Sequence, residues 1–125
     1  MKSNLIPAAA GLFAALFAGP AAAADLTEAE ARAYVQKGAL VVDVRTVEEY
    51  ATKHLTNVVN IPLEVVKEKF PTVATNKSDV VLLHCRSGRR SGLAEKELRA
   101  LGYTNVFNIG SFERAETIVG KAKPQ

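Results

Sequence analysis

Asp79-Val80-Val81-Leu82-Leu83-His84-Cys85-Arg86-Ser87-Gly88-Arg89-Arg90-Ser91-Gly92 is the stretch from which the rest of the chain is read. An apolar run ends in the only cysteine of the protein. Three arginines and a glycine crowd the turn after it, and the amphipathic segment Leu93 to Leu101 follows. This order predicts a buried strand, a tight turn, and a helix whose N-terminus points back at the turn. Amide N–H groups in such a turn lack helical partners and converge on an anion, helped by the helix macrodipole. A thiol placed there ionises easily: free cysteine titrates near about 8.5, and electropositive sites bring it to roughly 3.5–7.5. A lone cysteine is more often a small buried hydrophobe. The charged and flexible residues directly after Cys85 set it apart, and it is expected as a partly exposed, nucleophilic thiolate.

The segments upstream alternate between helix and strand. Thr27-Glu28-Ala29-Glu30 has the form of a capping box and opens a helix to about Lys37, with Gly38 placed to end it. Ala39 to Val44 is a continuous apolar strand of the kind covered on both sheet faces. Asp43, near its end, needs a cation or amide donors, which Arg45 or the arginine-rich loop could supply. Val47 to Lys53 predicts a short helix, and His54 follows as a hydrogen-bonded turn histidine. Val58-Val59-Asn60 reads as a short strand. Pro62 then starts a helix with Leu63, Val66 and Phe70 on one buried face, and Phe70-Pro71 stops it.

Beyond the central stretch, a helix ending at Leu101-Gly102 places Ala94, Leu98 and Leu101 on one face. Asn105 to Asn108 is another short strand, Gly110-Ser111-Phe112 begins a last helix, and Lys121 to Gln125 is a loose tail. Together these elements predict a single α/β domain. Its sheet is mainly parallel, with four or five strands and helices on both faces. Ligands of such sheets sit beyond the carboxyl ends of the strands, where Cys85 falls.

The first residues form a different class. Met1-Lys2, the apolar run Leu5 to Ala18, Gly19-Pro20 and Ala21 to Ala24 read as a secretory signal peptide cleaved after Ala24. The apolar run is short for a membrane span of about 20 residues. Residues 25–125 are then the domain, periplasmic or secreted, with no stable membrane insertion. The formal net charge is +3, with cations scattered outside the Cys85 loop, so no nucleic-acid partner is expected. One cysteine rules out an internal disulfide. With only His54 and His84 beside it, the ligand set for a metal is poor, and no metal or cofactor is expected.

Cys85-Arg86-Ser87-Gly88-Arg89-Arg90-Ser91 resembles the active-site loop of the rhodanese family, the thiosulfate sulfurtransferases. Asp43-Val44-Arg45, Glu49-Tyr50, His54-Leu55 and Asn60-Ile61-Pro62-Leu63 are similar to the family's N-terminal signature, so the resemblance runs from Leu40 to Phe112. It implies a rhodanese-like domain, expected as a monomer, that moves the outer sulfur of thiosulfate to cyanide or a thiol through a Cys85 persulfide. Arg86, Ser87, Gly88, Arg89 and Arg90 are its substrate-binding candidates, Arg86 first. Arg90 is alternatively a brace turned inward onto Asp43, with Asp43 and Arg45 supporting the loop.

Lys53 and Asn57 stand where the family has glycines, and Gly110-Ser111-Phe112 replaces a glycine pair, departures that bear on acceptor recognition. Two other classes fit the same loop: a cysteine phosphatase or arsenate reductase, and a non-catalytic sulfur-carrier or anion-sensing binding module. The related phosphatases keep an arginine six positions after the nucleophile. Here that position is Ser91, which weighs against phosphate chemistry.

Overall fold

Two capping boxes fix where the first helices start. The structure, a computed structural model, describes residues 26–120; the expected signal peptide and the tail from Lys121 lie outside the described residues. Helix α1 spans Glu28–Gln36, with the Thr27 hydroxyl accepting from the Glu30 amide at 3.0 Å and the Glu30 carboxylate accepting from the Thr27 amide at 2.9 Å. Helix α2, Val47–Thr52, repeats the device with Thr46 and Glu49. Each such cap is worth roughly 0.5–2 kcal/mol, which matters for a helix as short as α2.

Four strands follow the apolar runs: β1 Leu40–Asp43, β2 Val59–Asn60, β3 Val81–His84 and β4 Val106–Gly110. They form one sheet in the order β2-β1-β3-β4, every pair parallel. Strand periodicity sends alternate side chains to opposite faces. Val42, Val44, Leu83 and Cys85 join Val66 and Phe70 of α3 (Val66–Val73) and Ala94 and Leu98 of α4 (Arg89–Ala100) on one face. Val41, Leu82 and Ile109 pack on the other with Ala31 of α1 and Ala115 and Ile118 of α5 (Phe112–Val119). Val81, Leu82 and Leu83 have no exposed surface, which is why β3 shows no polar alternation. Burying each such side chain contributes about 1.5–3 kcal/mol.

Three expectations are corrected. Phe70-Pro71 does not stop its helix, which runs through Pro71 to Val73. The Phe70 ring is anchored edge-on against Tyr103 at 4.8 Å, and that packing outweighs the usual reluctance of a pre-proline residue to be helical. Helix α4 begins at Arg89, not Leu93. Its first turn is Arg89-Arg90-Ser91-Gly92, which carries no apolar periodicity to read. Leu101 caps that helix and stays 36% exposed, outside the core.

A further irregularity positions the site. The β3–β4 register slips at its carboxyl end: Leu83 pairs with Asn108, but His84 pairs with Gly110. The extra residue in β4 is a bulge, which re-aims the chain at the end of the sheet.

Candidate active site

Cys85 sits one residue beyond β3, at the carboxyl end of the sheet. Its amide donates to the Gly110 carbonyl at 3.2 Å, so the β3–β4 ladder holds the backbone of the cysteine. Two more links tie the loop to the start of α5: the Phe112 amide donates to the Arg86 carbonyl at 3.2 Å, and Ser87 bridges Ser111. Gly88 then takes φ +97° as the N-cap of α4. A Cβ there would come within 3.2 Å of the Gly110 Cα. Only glycine meets both demands, the positive φ and the close approach.

The turn aims its amides at sulfur. The Gly88 N–H donates to Cys85 Sγ at 3.0 Å, and the Ser91 hydroxyl oxygen lies 3.5 Å from it. Burial pushes the thiol up, but the Ser91 hydroxyl and the amides of Ser91, Gly88 and Ser87 outweigh it, so Cys85 lies below the ordinary thiol value. The side chain is not partly exposed as expected. It has no accessible surface, because the end of β3 delivers it into the cluster with Val44 and Ala94.

The arginines divide. Arg90 binds Glu49 through two bonds of 2.8 and 3.0 Å. The bidentate guanidinium and the Thr46 amide hold the Glu49 carboxyl down at about 2. The Arg90–Asp43 brace is therefore corrected: strand alternation turns Asp43 to the face opposite α4. There Arg45 claims it, with Nε at 2.9 Å from Oδ1 and Nη2 at 2.7 Å from Oδ2. Arg45 also donates to the Lys53 carbonyl at 2.7 Å, and Asn60 donates to the Asp43 and Arg45 carbonyls. Arg86 and Arg89 are exposed and form no ion pair among the described residues.

The positions that depart from the family's glycines have physical readings. Asn57 sits at φ +62°, a left-handed conformation that asparagine tolerates. Lys53 places its ammonium 5.0 Å from the Phe112 ring centre. Ser111 caps α5, accepting from the Arg114 amide at 3.0 Å. His54 is a turn histidine, its Nδ1 2.8 Å from the Tyr50 carbonyl and its ring stacked on Tyr50 at 3.9 Å.

Sequence reasoning missed Asn108. From β4 its Oδ1 accepts from the Ser91 hydroxyl at 2.7 Å and from the Gly110 amide at 2.8 Å, while Nδ2 donates to the Gly88 carbonyl at 3.0 Å. A polar residue inside an apolar strand was the available signal.

His84 carries a testable cost. It is fully buried, its Nε2 has no hydrogen-bond partner among the described residues, and that atom stands 3.8 Å from Asp43 Oδ2. Burial lowers its pKa and the Asp43 carboxylate offsets only part of this, so the folded state resists protonation. The unfolded chain takes up that proton as pH falls through about 6.5, so stability drops on acidification by at most about 1.4 kcal/mol per pH unit. Denaturant titrations either side of that pH are expected to show a smaller drop for His84→Leu. Equal drops in the two proteins would remove His84 as the cause.

The Rhodanese-like domain family matches residues 27–115 of the chain. Thiosulfate sulfurtransferase PspE of Escherichia coli (strain K12) is 42% identical over 72 residues, covering 58% of this chain and 69% of the relative. Thiosulfate sulfurtransferase 18 of Arabidopsis thaliana is 34% identical over 93 residues, covering 65% and 68%. A solved structure of a rhodanese with anions from E. coli superposes with a TM-score of 0.64 at 35% identity, over 70% of this chain and all of that one. Motif, sheet order, sequence and superposition agree over the segment that builds the cysteine loop, and the chain belongs to the rhodanese-like domain family.

Proposed function

We propose that the protein is a thiosulfate sulfurtransferase working through a persulfide on Cys85. The observation that carries this reading is the sulfur of the sole cysteine, held at the mouth of α4 with a loop amide 3.0 Å away. In the first half-reaction the Cys85 thiolate attacks the outer sulfur of thiosulfate. A bond forms between Sγ and that sulfur, the S–S bond of thiosulfate breaks, and sulfite leaves with the electron pair. Arg86 and Arg89 supply the positive charge that an anion attacking a dianion requires. Arg90, already committed to Glu49, shapes the loop instead. The amides of Ser87 and Gly88 support the terminal sulfur anion. In the second half-reaction cyanide or a thiolate attacks the outer sulfur, the Sγ–S bond breaks, and Cys85 recovers its thiolate.

Two kinds of relative support this substrate class: proteins named thiosulfate sulfurtransferases and one named a putative sulfur carrier protein. Ser91, at the position of the phosphatases' clamping arginine, is buried and hydrogen-bonded inward, which weighs against phosphoryl transfer. Mass spectrometry after incubation with thiosulfate tests the reading. The protein is expected to gain one sulfur atom, and cyanide to remove it. Turnover of aryl phosphates dependent on Cys85, with no added sulfur, would overturn it.

A further inference from the structure

One buried hydroxyl faces two acceptors. Ser91 has no exposed surface, and its single O–H proton has Asn108 Oδ1 at 2.7 Å and Cys85 Sγ at 3.5 Å. The Asn108 amide can be oriented only one way. Gly110 offers its Oδ1 a donor, and the Gly88 carbonyl offers its Nδ2 an acceptor. Gly92, on α4 one turn past Gly88, leaves room for this amide: a Cβ there would meet Nδ2 at 3.3 Å.

The distances decide how the proton is shared. At 2.7 Å the bond to Asn108 is well formed, while 3.5 Å to sulfur is a weak one. A neutral thiol gains little from a donor, so the hydroxyl stays on Asn108. A thiolate is a charged acceptor, and hydrogen bonds to charge are about twice as strong as neutral ones. Turning the hydroxyl to sulfur leaves Asn108 Oδ1 still satisfied by the Gly110 amide. No buried polar atom is stranded, so the turn avoids the penalty for an unsatisfied group.

We propose that Asn108 is a positioning residue that sets the acidity of Cys85 through Ser91, holding the Ser91 hydroxyl while sulfur is neutral and releasing it when sulfur is charged. The inference rests on Cys85 acting as a thiolate nucleophile, as argued above. On ionisation the thiol proton passes to solvent and the Ser91 O–H turns onto Sγ. The same turn recurs in sulfur release. As an acceptor bonds the outer sulfur, the Sγ–S bond breaks, its electron pair falls on Sγ, and the hydroxyl meets the new anion. Asn108 touches no reacting atom. Its carboxamide also ties the Gly88 carbonyl and the Gly110 amide, so the acceptor that withholds the hydroxyl is fixed to the loop that carries the sulfur.

The test reads ionisation directly. Ultraviolet thiolate absorbance is titrated against a Cys85→Ser baseline, which is unambiguous because the chain has one cysteine. Asn108→Asp replaces a releasable acceptor with a carboxylate that keeps the hydroxyl. The thiolate fraction below the midpoint is expected to fall at least about tenfold, one pH unit or more. In a Ser91→Ala background the field of the carboxylate and the bond lost to the Gly88 carbonyl remain, and the same substitution is expected to have an effect at least about threefold smaller than in the wild-type background. Ser91→Ala alone should move the midpoint in the same direction as Asn108→Asp. Thermal midpoints of all variants are measured alongside. Equal effects of Asn108→Asp with and without Ser91, or a lowered thermal midpoint with an unmoved thiol titration, would overturn the proposal. A wild-type protein that ionises normally yet gains no sulfur from thiosulfate would instead sink the sulfurtransferase reading and leave the Asn108 result standing.

Discussion

Serine at position 85 is expected to end sulfur loading altogether while leaving the fold in place. The hydroxyl fits the same pocket and can accept the Gly88 amide, which now lies 3.0 Å from Sγ. It is scarcely ionised at neutral pH, so the donors that lower the thiol have nothing comparable to stabilise. The chain has no second cysteine to take over. The loss in thiosulfate-to-cyanide turnover should be on the order of a thousandfold or more, as when other enzymes lose their nucleophile. Intact mass should show no added sulfur, and circular dichroism should show an unchanged thermal transition. Residual turnover within tenfold of wild type would mean that another group carries the sulfur.

Asp43→Ala is expected to have the largest effect on stability. The carboxylate has no exposed surface and accepts from the Arg45 side chain and, at 2.9 Å, from the Arg45 amide. Removing it leaves a guanidinium only 8% exposed without its counter-charge. Breaking such a pair from one side costs about 3–5 kcal/mol. Against a total stability of about 5–15 kcal/mol this is a large share, and a domain of this size should lose more than about 10 °C in thermal midpoint. The double substitution Asp43→Leu with Arg45→Met should cost less than Asp43→Ala alone, because no buried charge is stranded. A midpoint lowered by only a degree or two in Asp43→Ala would show that Arg45 finds water or another partner.

What could be read from the chain was what burial and local chemistry write into neighbouring residues. β1 and β3 were legible because a strand covered on both faces loses its alternation, leaving Val81-Leu82-Leu83 as an unbroken apolar run. The cap at Thr27 and the turn at Gly88 were legible because each is a short-range demand on residue type. The contacts that set the site's electrostatics are long-range. Glu49 and Arg90 stand 41 positions apart, and Ser91 and Asn108 17. The first pair meets only after α4 starts early enough to carry Arg90, the second only where β4, in register with β3 at Leu83–Asn108, lies beside the first turn of α4. Cys85 was expected near the surface because its followers are charged, yet the exposure of Arg86 and Ser87 says nothing about the side chain one residue earlier. Asp43 was singled out as a polar residue at the end of an apolar strand. The same reasoning applied to Asn108 would have found it.

The back-to-back glycines have a consequence for how this chain can vary. Gly88 and Gly110 hold φ +97° and +98° with their backbones in near contact. A change at Gly88 meets two objections, the wrong backbone angle and the Gly110 main chain, while a change at Gly110 meets the wrong backbone angle and crowds the Arg114 side chain. Compensation would require moving β4 itself, and with it the bulge, the Cys85 amide bond and the start of α5. In a library that randomises the surroundings of the cysteine, these two positions should therefore return glycine almost without exception. Among members selected for folding alone, diversity should collect at Arg86, Ser87 and Arg89, whose side chains face solvent. The pair divides the loop into an inheritable frame and a variable rim, so new sulfur donors or acceptors would be reached by changing the rim alone.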